Sequence, residues 1–317
     1  MYRVGTKLQY KEYNILLNSG GMGDTIAALP AIKYILDYHK HICMYLFVQD
    51  YAVAFVKKIF EGFRNIKVNG MTEYYTEAKD DMWTRSPYSH RISALSSHIT
   101  DHAFLSIVHK SVENKYKNYL KLEPIEVSEF NLPEKYVVIT TGFTAKVREW
   151  NAQSVNETVD YVISKGYTPV FVGKSRTKSG PTTSIVGTFK AEYNKPGTIN
   201  LIDKTDLFQA HAIMASAKAV VGLDNGLLHL ACMSDVPVVY ALTTLNKEHR
   251  LPYRKDELGW NCYPIELKEL ECSGCQSNFN FAPTTHNFTT CYYGNLNIQC
   301  VKMMTSNKFI AELEKIL

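Results

Sequence analysis

Short apolar runs alternate along the chain with longer segments whose apolar residues recur every three or four positions. YNILLNS (13–19) predicts a buried strand, and DTIAALPAIKYILDYH (24–39) places Ile26, Leu29, Ile32, Ile35 and Leu36 at near-helical spacing. Pro30 removes a backbone donor, so this helix is expected to start close before it or to kink there. CMYLFVQD (43–50), AVAFVKKIF (52–60) and NIKVN (65–69) repeat the order strand, helix, strand. That order favours a parallel sheet wound with helices.

The pattern breaks at 71–102, a polar stretch rich in aromatic, histidine and serine residues, which reads as an elaborated ligand-facing loop or irregular helical region. A helical stretch is expected at about 103–120, then a polar linker, KLEPIEVSEFNLPEK (121–135), with two prolines. A second series of α/β units follows. It comprises KYVVITTG (135–142), the helix SVNETVDYVISKG (154–166), YTPVFVGK (167–174), the short NLID (200–203), the helix DLFQAHAIMASA (206–217), KAVVGLD (218–224), the helix NGLLHLACMSD (225–235) and a last strand VPVVYALT (236–243). The fold class is therefore α/β, with two Rossmann-like domains facing across a cleft. Their expected extents are 1–130 and 131–305, with a helix at 306–317 packing back on the first domain. In open α/β sheets the ligand lies beyond the carboxyl ends of the strands.

Length and composition fit this division. At 317 residues the chain exceeds one ordinary core, and 45% hydrophobic with 21% charged residues is the balance of a soluble globular protein. No apolar run approaches a membrane span and the N-terminus lacks an apolar signal region, so a cytoplasmic location is expected. A net charge of +4 is too mild to indicate a nucleic-acid binder and is compatible with a small anionic ligand. Seven cysteines are too few for a disulfide scaffold.

Two segments carry candidate chemistry. The first is the glycine loop with Gly20, Gly21 and Gly23, followed by Asp24, between a strand and a helix. Glycines there permit a sharp turn and close approach to a ligand. The spacing matches neither a dinucleotide fingerprint nor a P-loop, and an aspartate would repel a phosphate. Asp24 thus has another task, either capping the helix or acting on a ligand. The second segment, 220–242, ends a buried strand in Asp224-Asn225-Gly226 and begins a helix through Leu227 and His229. Backbone N–H groups there suit a diphosphate, while the carboxylate and imidazole suit a sugar.

In this order the two segments resemble glycosyltransferase family 9, the ADP-heptose:lipopolysaccharide heptosyltransferases. The first resembles the family's GxGDxxxxxP segment in Gly21, Gly23, Asp24 and Pro30; the second resembles its (D)(S/N)GxxHxAxxxxxP segment in Asp224, Asn225, Gly226, His229, Ala231 and Pro237. TTGFTAKVREW is similar to the family's turn and basic residue before tryptophan, and Cys272, Cys275, Cys291 and Cys300 are similar to its C-terminal cysteine pattern. The resemblance implies a GT-B fold and an inverting, metal-independent transfer of a sugar from a nucleoside-diphosphate sugar to an acceptor hydroxyl, with no cofactor required. Asp24 would be the general base. Lys146, Arg148, Thr141, Asp224, Asn225, Gly226, Leu227 and His229 would bind the donor, and Arg85, His90 and Arg91 would lie on the acceptor side. The acceptor would be a glycan, a lipopolysaccharide core or modified DNA. The four cysteines also form a candidate structural zinc set. The chain departs from the family after YTPVFVG, where Gly173-Lys174-Ser175-Arg176 replaces a ribose-binding glutamate. A nucleotide-sugar-binding scaffold without activity is the alternative reading.

Overall fold

The structure, a computed structural model, describes residues 12–17, 21–73, 84–85, 98–143, 146–179, 184–188, 190–277, 291 and 298–317. Gly20, His90 and Arg91, named above as candidates, lie outside the described residues.

The first lobe is a parallel sheet of β1 (Glu12–Leu16), β2 (Cys43–Val48), β3 (Ile66–Gly70) and β4 (Thr84–Arg85), in the order β3-β2-β1-β4. The helix Met22–Tyr38 follows β1, and Val53–Ile59 lies between β2 and β3. Pro30 is accommodated inside the first helix, fully buried beside Leu29, Ala31 and Ile32. The chain then forms the helix Ile99–Ala103, which runs into a π-helical turn at Phe104–Val108. The helical stretch expected to continue to residue 120 stops here. His109 takes a left-handed conformation (φ 62°), and beyond it only a single 3-10 turn, Asn114–Tyr116, forms. The segment after this turn already belongs to the second lobe, because the Tyr119 and Leu122 N–H groups donate to the Tyr253 and Met233 carbonyls.

In chain order the second lobe contains β5 (Tyr136–Thr140), β6 (Gly142–Phe143), β7 (Thr168–Val172), β8 (Arg176–Ser179), β9 (Ser184–Thr188), β10 (Ile199–Asn200), β11 (Ala219–Leu223), β12 (Val238–Ala241), β13 (Tyr253–Arg254), β14 (Glu257–Leu258) and β15 (Cys262–Ile265). Six of these form a parallel sheet in the order β10-β7-β5-β11-β12-β15. Strands β5 and β11 are buried along their whole length. Helices on both faces account for their nearly uninterrupted apolar sequences. Unlike the sequence reading, β12 is not the last strand, since β15 adds to its outer edge. A hairpin, β8-β9, pairs with β6 beside the end of β5.

The helix Ser306–Leu313 corrects another expectation. Its Phe309 ring stacks on Trp150 of the second lobe with centroids 3.8 Å apart, and Phe309 and Leu313 are fully buried with Val155, Val159 and Val162 of the helix Ala152–Ser164. Its apolar face is therefore spent on the second lobe, with none left to cross back to the first.

Candidate active site at the junction of the lobes

The helices that follow β1 and β11 begin at the carboxyl ends of their sheets and meet there. Gly23 and Gly226 make the approach possible. A Cβ on Gly23 would lie 2.6 Å from His229 Cδ2, and one on Gly226 would lie 3.0 Å from Met22 Cβ and 3.2 Å from the Gly23 nitrogen. Both glycines are therefore present for space. Gly21 has nothing within 4 Å of its missing Cβ and serves instead as the helix N-cap.

Asp24 performs two tasks at this junction. Its Oδ2 accepts the Gly21 N–H at 3.1 Å, which caps the helix, and its Oδ1 receives Arg250 Nη1 at 3.2 Å from the other lobe. The carboxylate remains 28% exposed. Arg250 ends the short helix Lys247–Arg250, and its Nε donates to Asp224 Oδ1 at 2.8 Å. One guanidinium thus joins two carboxylates from opposite lobes. Arg148 Nη1 lies 3.5 Å from Asp224 Oδ2, adding a second cation. Burial opposes charge on Asp224, but Arg250 and then Arg148 outweigh it and hold the carboxyl well below its usual range. Burial likewise opposes the charge on Arg250, and Asp224 and Asp24 more than restore it.

Beneath the ion pairs lies a chain of hydrogen bonds. Tyr240 donates its hydroxyl proton to Asp224 Oδ1 at 2.8 Å, and the Tyr240 hydroxyl oxygen lies 3.0 Å from His229 Nε2. The phenol has only one proton, so His229 must donate from Nε2 and accept at Nδ1, where the Tyr119 hydroxyl stands at 2.7 Å. Burial, and then the charge of Arg250, lowers the His229 pKa, which keeps this ring neutral. His229 is 0% exposed, with both ring nitrogens engaged by tyrosine hydroxyls beneath Asp224.

The remaining candidates separate by placement. Asn225 caps the helix Gly226–Ala231, its Oδ1 accepting the Leu227 and Leu228 N–H groups, while its Nδ2 donates to Thr140 Oγ1 and the Gly142 carbonyl. Thr141 is buried, directed at the Val172 carbonyl and filling the space above Gly173. Lys146 points outward, 64% exposed and paired with Glu149, whereas Arg148 turns in toward Asp224. Arg85 lies in β4. Arg250, Tyr240 and Tyr119 were missed. Tyr240 had a sequence signal, a hydroxyl in the middle of the apolar strand VPVVYAL, but Arg250 in LNKEHRLPYR reads as ordinary charged surface.

The four C-terminal cysteines lie within electrostatic reach of one another. Burial, then neighbouring thiols, raise Cys272 above its usual value, Cys275 to about 11 and Cys300 to about 12. Cys291 and Cys300 pack beside Val147, between Lys146 and Arg148. Among the described residues, no group of three or more His, Cys, Asp or Glu is placed to hold a metal ion, so these thiols do not form a ligand set as they stand. No described helix is long and apolar enough to cross a membrane.

Comparison with known proteins agrees with this fold. The family model for glycosyltransferase family 9 (heptosyltransferase) matches residues 97–259. Among solved structures, the iron-containing dodecameric glycosyltransferase TibC from enterotoxigenic E. coli H10407 is 16% identical, with a TM-score of 0.72 over 98% of this chain and 77% of that one. The family 9 glycosyltransferase from Veillonella parvula DSM 2008 is 14% identical, with a TM-score of 0.65 over 98% of each chain. E. coli heptosyltransferase WaaC with ADP is 13% identical, with a TM-score of 0.52 over 96% of this chain and 100% of that one. No match is found among curated protein sequences. Two parallel α/β lobes, an aspartate opening the first helix and an Asp-Asn-Gly turn opening the helix after β11 converge with a family match over more than half the chain: the protein belongs to glycosyltransferase family 9, the heptosyltransferase family.

Proposed function

We propose that the protein transfers a sugar from a nucleoside-diphosphate sugar to an acceptor hydroxyl with inversion, and that Asp24 is the general base. The observation that carries this reading is the Asp24 carboxylate, partly exposed at the junction of the lobes and held from both of them, by the Gly21 N–H and by Arg250. A base held in one orientation beside the strand ends is what proton abstraction from a bound hydroxyl requires. In the reaction the acceptor O–H gives its proton to Asp24 as its oxygen bonds to the anomeric carbon. The bond from that carbon to the diphosphate oxygen breaks, and its electron pair leaves with the diphosphate. The products are a glycoside and a nucleoside diphosphate, and Asp24 returns its proton to solvent.

The growing negative charge on the leaving group needs cations nearby, and the inward turn of Arg148 favours it over Lys146 for that role. This mechanism calls on no metal. Iron is named for TibC, and the four cysteines have donors of the right kind for zinc or iron although they are not arranged as ligands here; metal analysis of the purified protein tests a structural metal there. WaaC is described with ADP and TibC with ADP-D-β-D-heptose, which makes adenosine-diphosphate sugars the first donors to try. We place the protein in the cytoplasm, where such donors are made available, with a glycan hydroxyl as acceptor. The experiment is a thermal-shift screen of nucleoside diphosphates and their sugars, followed by Asp24→Asn. The expected result is lost turnover with nucleotide binding intact; turnover that survives in Asp24→Asn rules out this base.

A further inference from the structure

We propose that Arg250 is a diphosphate-binding residue of this site, held in the ligand-free protein by Asp24 and Asp224, and that a bound diphosphate draws it away from Asp24. The inference rests on the reading of the cleft as a nucleotide-sugar site and goes beyond it by assigning an order. Donor binding frees the base.

Geometry is the first support. Arg250 Nη1 touches the base from the first lobe while Nε touches Asp224 at the carboxyl end of β11 in the second, so its guanidinium spans the gap in which sugar transfer would occur. In an in-line displacement the base contacts the attacking oxygen, and the leaving phosphate lies beyond the anomeric carbon. Near-attack distances put that phosphate within about 8 Å of the base. A cation already in contact with Asp24 is within a small side-chain movement of such a position.

The two arms of Arg250 are unequal. Its bond to Asp224 is 2.8 Å and almost fully buried, whereas its bond to Asp24 is 3.2 Å and ends on the partly exposed carboxylate. The Asp24 arm is the one a competing anion can reach. Guanidinium forks bind phosphate oxygens bidentately and strongly, so a diphosphate is a suitable competitor for one carboxylate oxygen. Asp224, which stays paired through Nε and is also faced by Arg148, keeps the guanidinium anchored during the exchange. The neutral His229 beneath adds no charge. Asp24 Oδ1, now occupied by Arg250, would then be available for an acceptor proton, while Oδ2 stays on the Gly21 N–H and preserves its orientation.

Titration calorimetry on the full chain with inorganic pyrophosphate and with ADP tests the exchange. Arg250→Gln is expected to weaken binding about tenfold or more, and Arg250→Lys by less, since a charge-assisted hydrogen bond is lost in one case and partly kept in the other. Asp24→Asn is expected to tighten binding roughly three- to tenfold, because the competitor loses its charge. In the double variant Asp24→Asn/Arg250→Gln that gain disappears. A gain that persists without Arg250 would show simple repulsion by Asp24 and overturn the proposal. So would an unchanged affinity in Arg250→Gln, or pyrophosphate and ADP both failing to bind the wild type. If Arg250→Gln does not fold, Arg250→Lys and Asp24→Asn still decide, as unchanged affinity in both is the opposing result. Turnover in Asp24→Asn separates the two readings: its survival removes the base assignment without touching these affinities, whereas equal affinities with lost turnover remove only the exchange.

Discussion

Gly23 of the first lobe lies against the imidazole of His229 in the second, so close that a Cβ added to it would stand 2.6 Å from the ring. The ring cannot easily yield, because Tyr119 and Tyr240 hold its two nitrogens. Glycine at this position is thus a condition for the two lobes to meet at Asp24.

Gly23→Ala is therefore expected to cost about 1–3 kcal/mol through overpacking. For a chain of this size that corresponds to a loss of several degrees in the thermal midpoint, roughly 2–4 °C per kcal/mol. Gly21→Ala is the control, since its φ is −76° and its missing Cβ faces open space. Thermal unfolding should show a lower midpoint for the first variant and little change for the second. Equal midpoints would mean that the lobes separate freely at this point.

Asp224→Asn tests the buried charges. Two guanidinium groups and a phenol converge on this carboxylate, and an amide would leave both arginines without their shared counter-ion. Breaking one member of a buried ion network costs about 3–5 kcal/mol. The wild-type contribution should survive mild acid. A depressed carboxylate pKa gives stability that is present above the unfolded value and lost only as pH falls through the folded one, which here lies well below 3.8. Urea unfolding at pH 7 and pH 4.5 should give nearly the same deficit for the variant at both, and a deficit that vanishes at pH 4.5 would contradict the assigned ion pairs.

Periodicity was sufficient for the framework. The buried strands β1, β2, β5, β7, β11 and β12 and the helices after β1 and β11 are placed within a few residues of where their apolar patterns put them, because backbone pairing and core burial are written into local sequence. Asp24 and Asp224 were visible for the same reason, each standing where an apolar strand gives way to a helix. Arg250 was not. Its partners lie 26 and 226 residues away, and nothing in a charged loop distinguishes a buried guanidinium from a solvated one. Cys262–Ile265 was missed as a strand because its Pro264 argues against pairing, yet at the sheet edge the missing donor does no harm. The C-terminal helix had a clear amphipathic face, but a single apolar stripe does not say which lobe covers it.

Phe309→Ala should identify that lobe experimentally. The ring is fully buried on Trp150, and truncating a buried phenylalanine costs about 3–5 kcal/mol. Because Trp150 also donates its indole N–H to Ser154 Oγ in the second-lobe helix, the loss is expected to appear in tryptophan fluorescence as an earlier unfolding transition with a solvent-exposed indole. An unchanged transition would place the stabilising contacts of this helix elsewhere.

Two buried histidines predict how stability responds to mild acid. Burial lowers the pKa of His98 to about 4, against the pull of its hydrogen bond to the Leu251 carbonyl, and lowers His211 to about 4 as well. Each is therefore neutral in the folded protein at pH values where the unfolded chain, with a histidine pKa near 6.5, is binding protons. Between about pH 6.5 and 4 the unfolded state holds more protons than the folded one, so stability falls as pH is lowered through that window. At pH 5 the deficit relative to pH 7.5 is about 2 kcal/mol for each histidine, from roughly 1.4 kcal/mol per pH unit over about 1.5 units. His211→Leu replaces a fully buried side chain by one that cannot be protonated, and should remove about 2 kcal/mol of the loss between pH 7.5 and pH 5. Urea unfolding of both proteins at pH 7.5, 6 and 5 measures it directly. If the wild type is as stable at pH 5 as at pH 7.5, the histidines are reached by water or paired with an acid, and their burial does not control their charge.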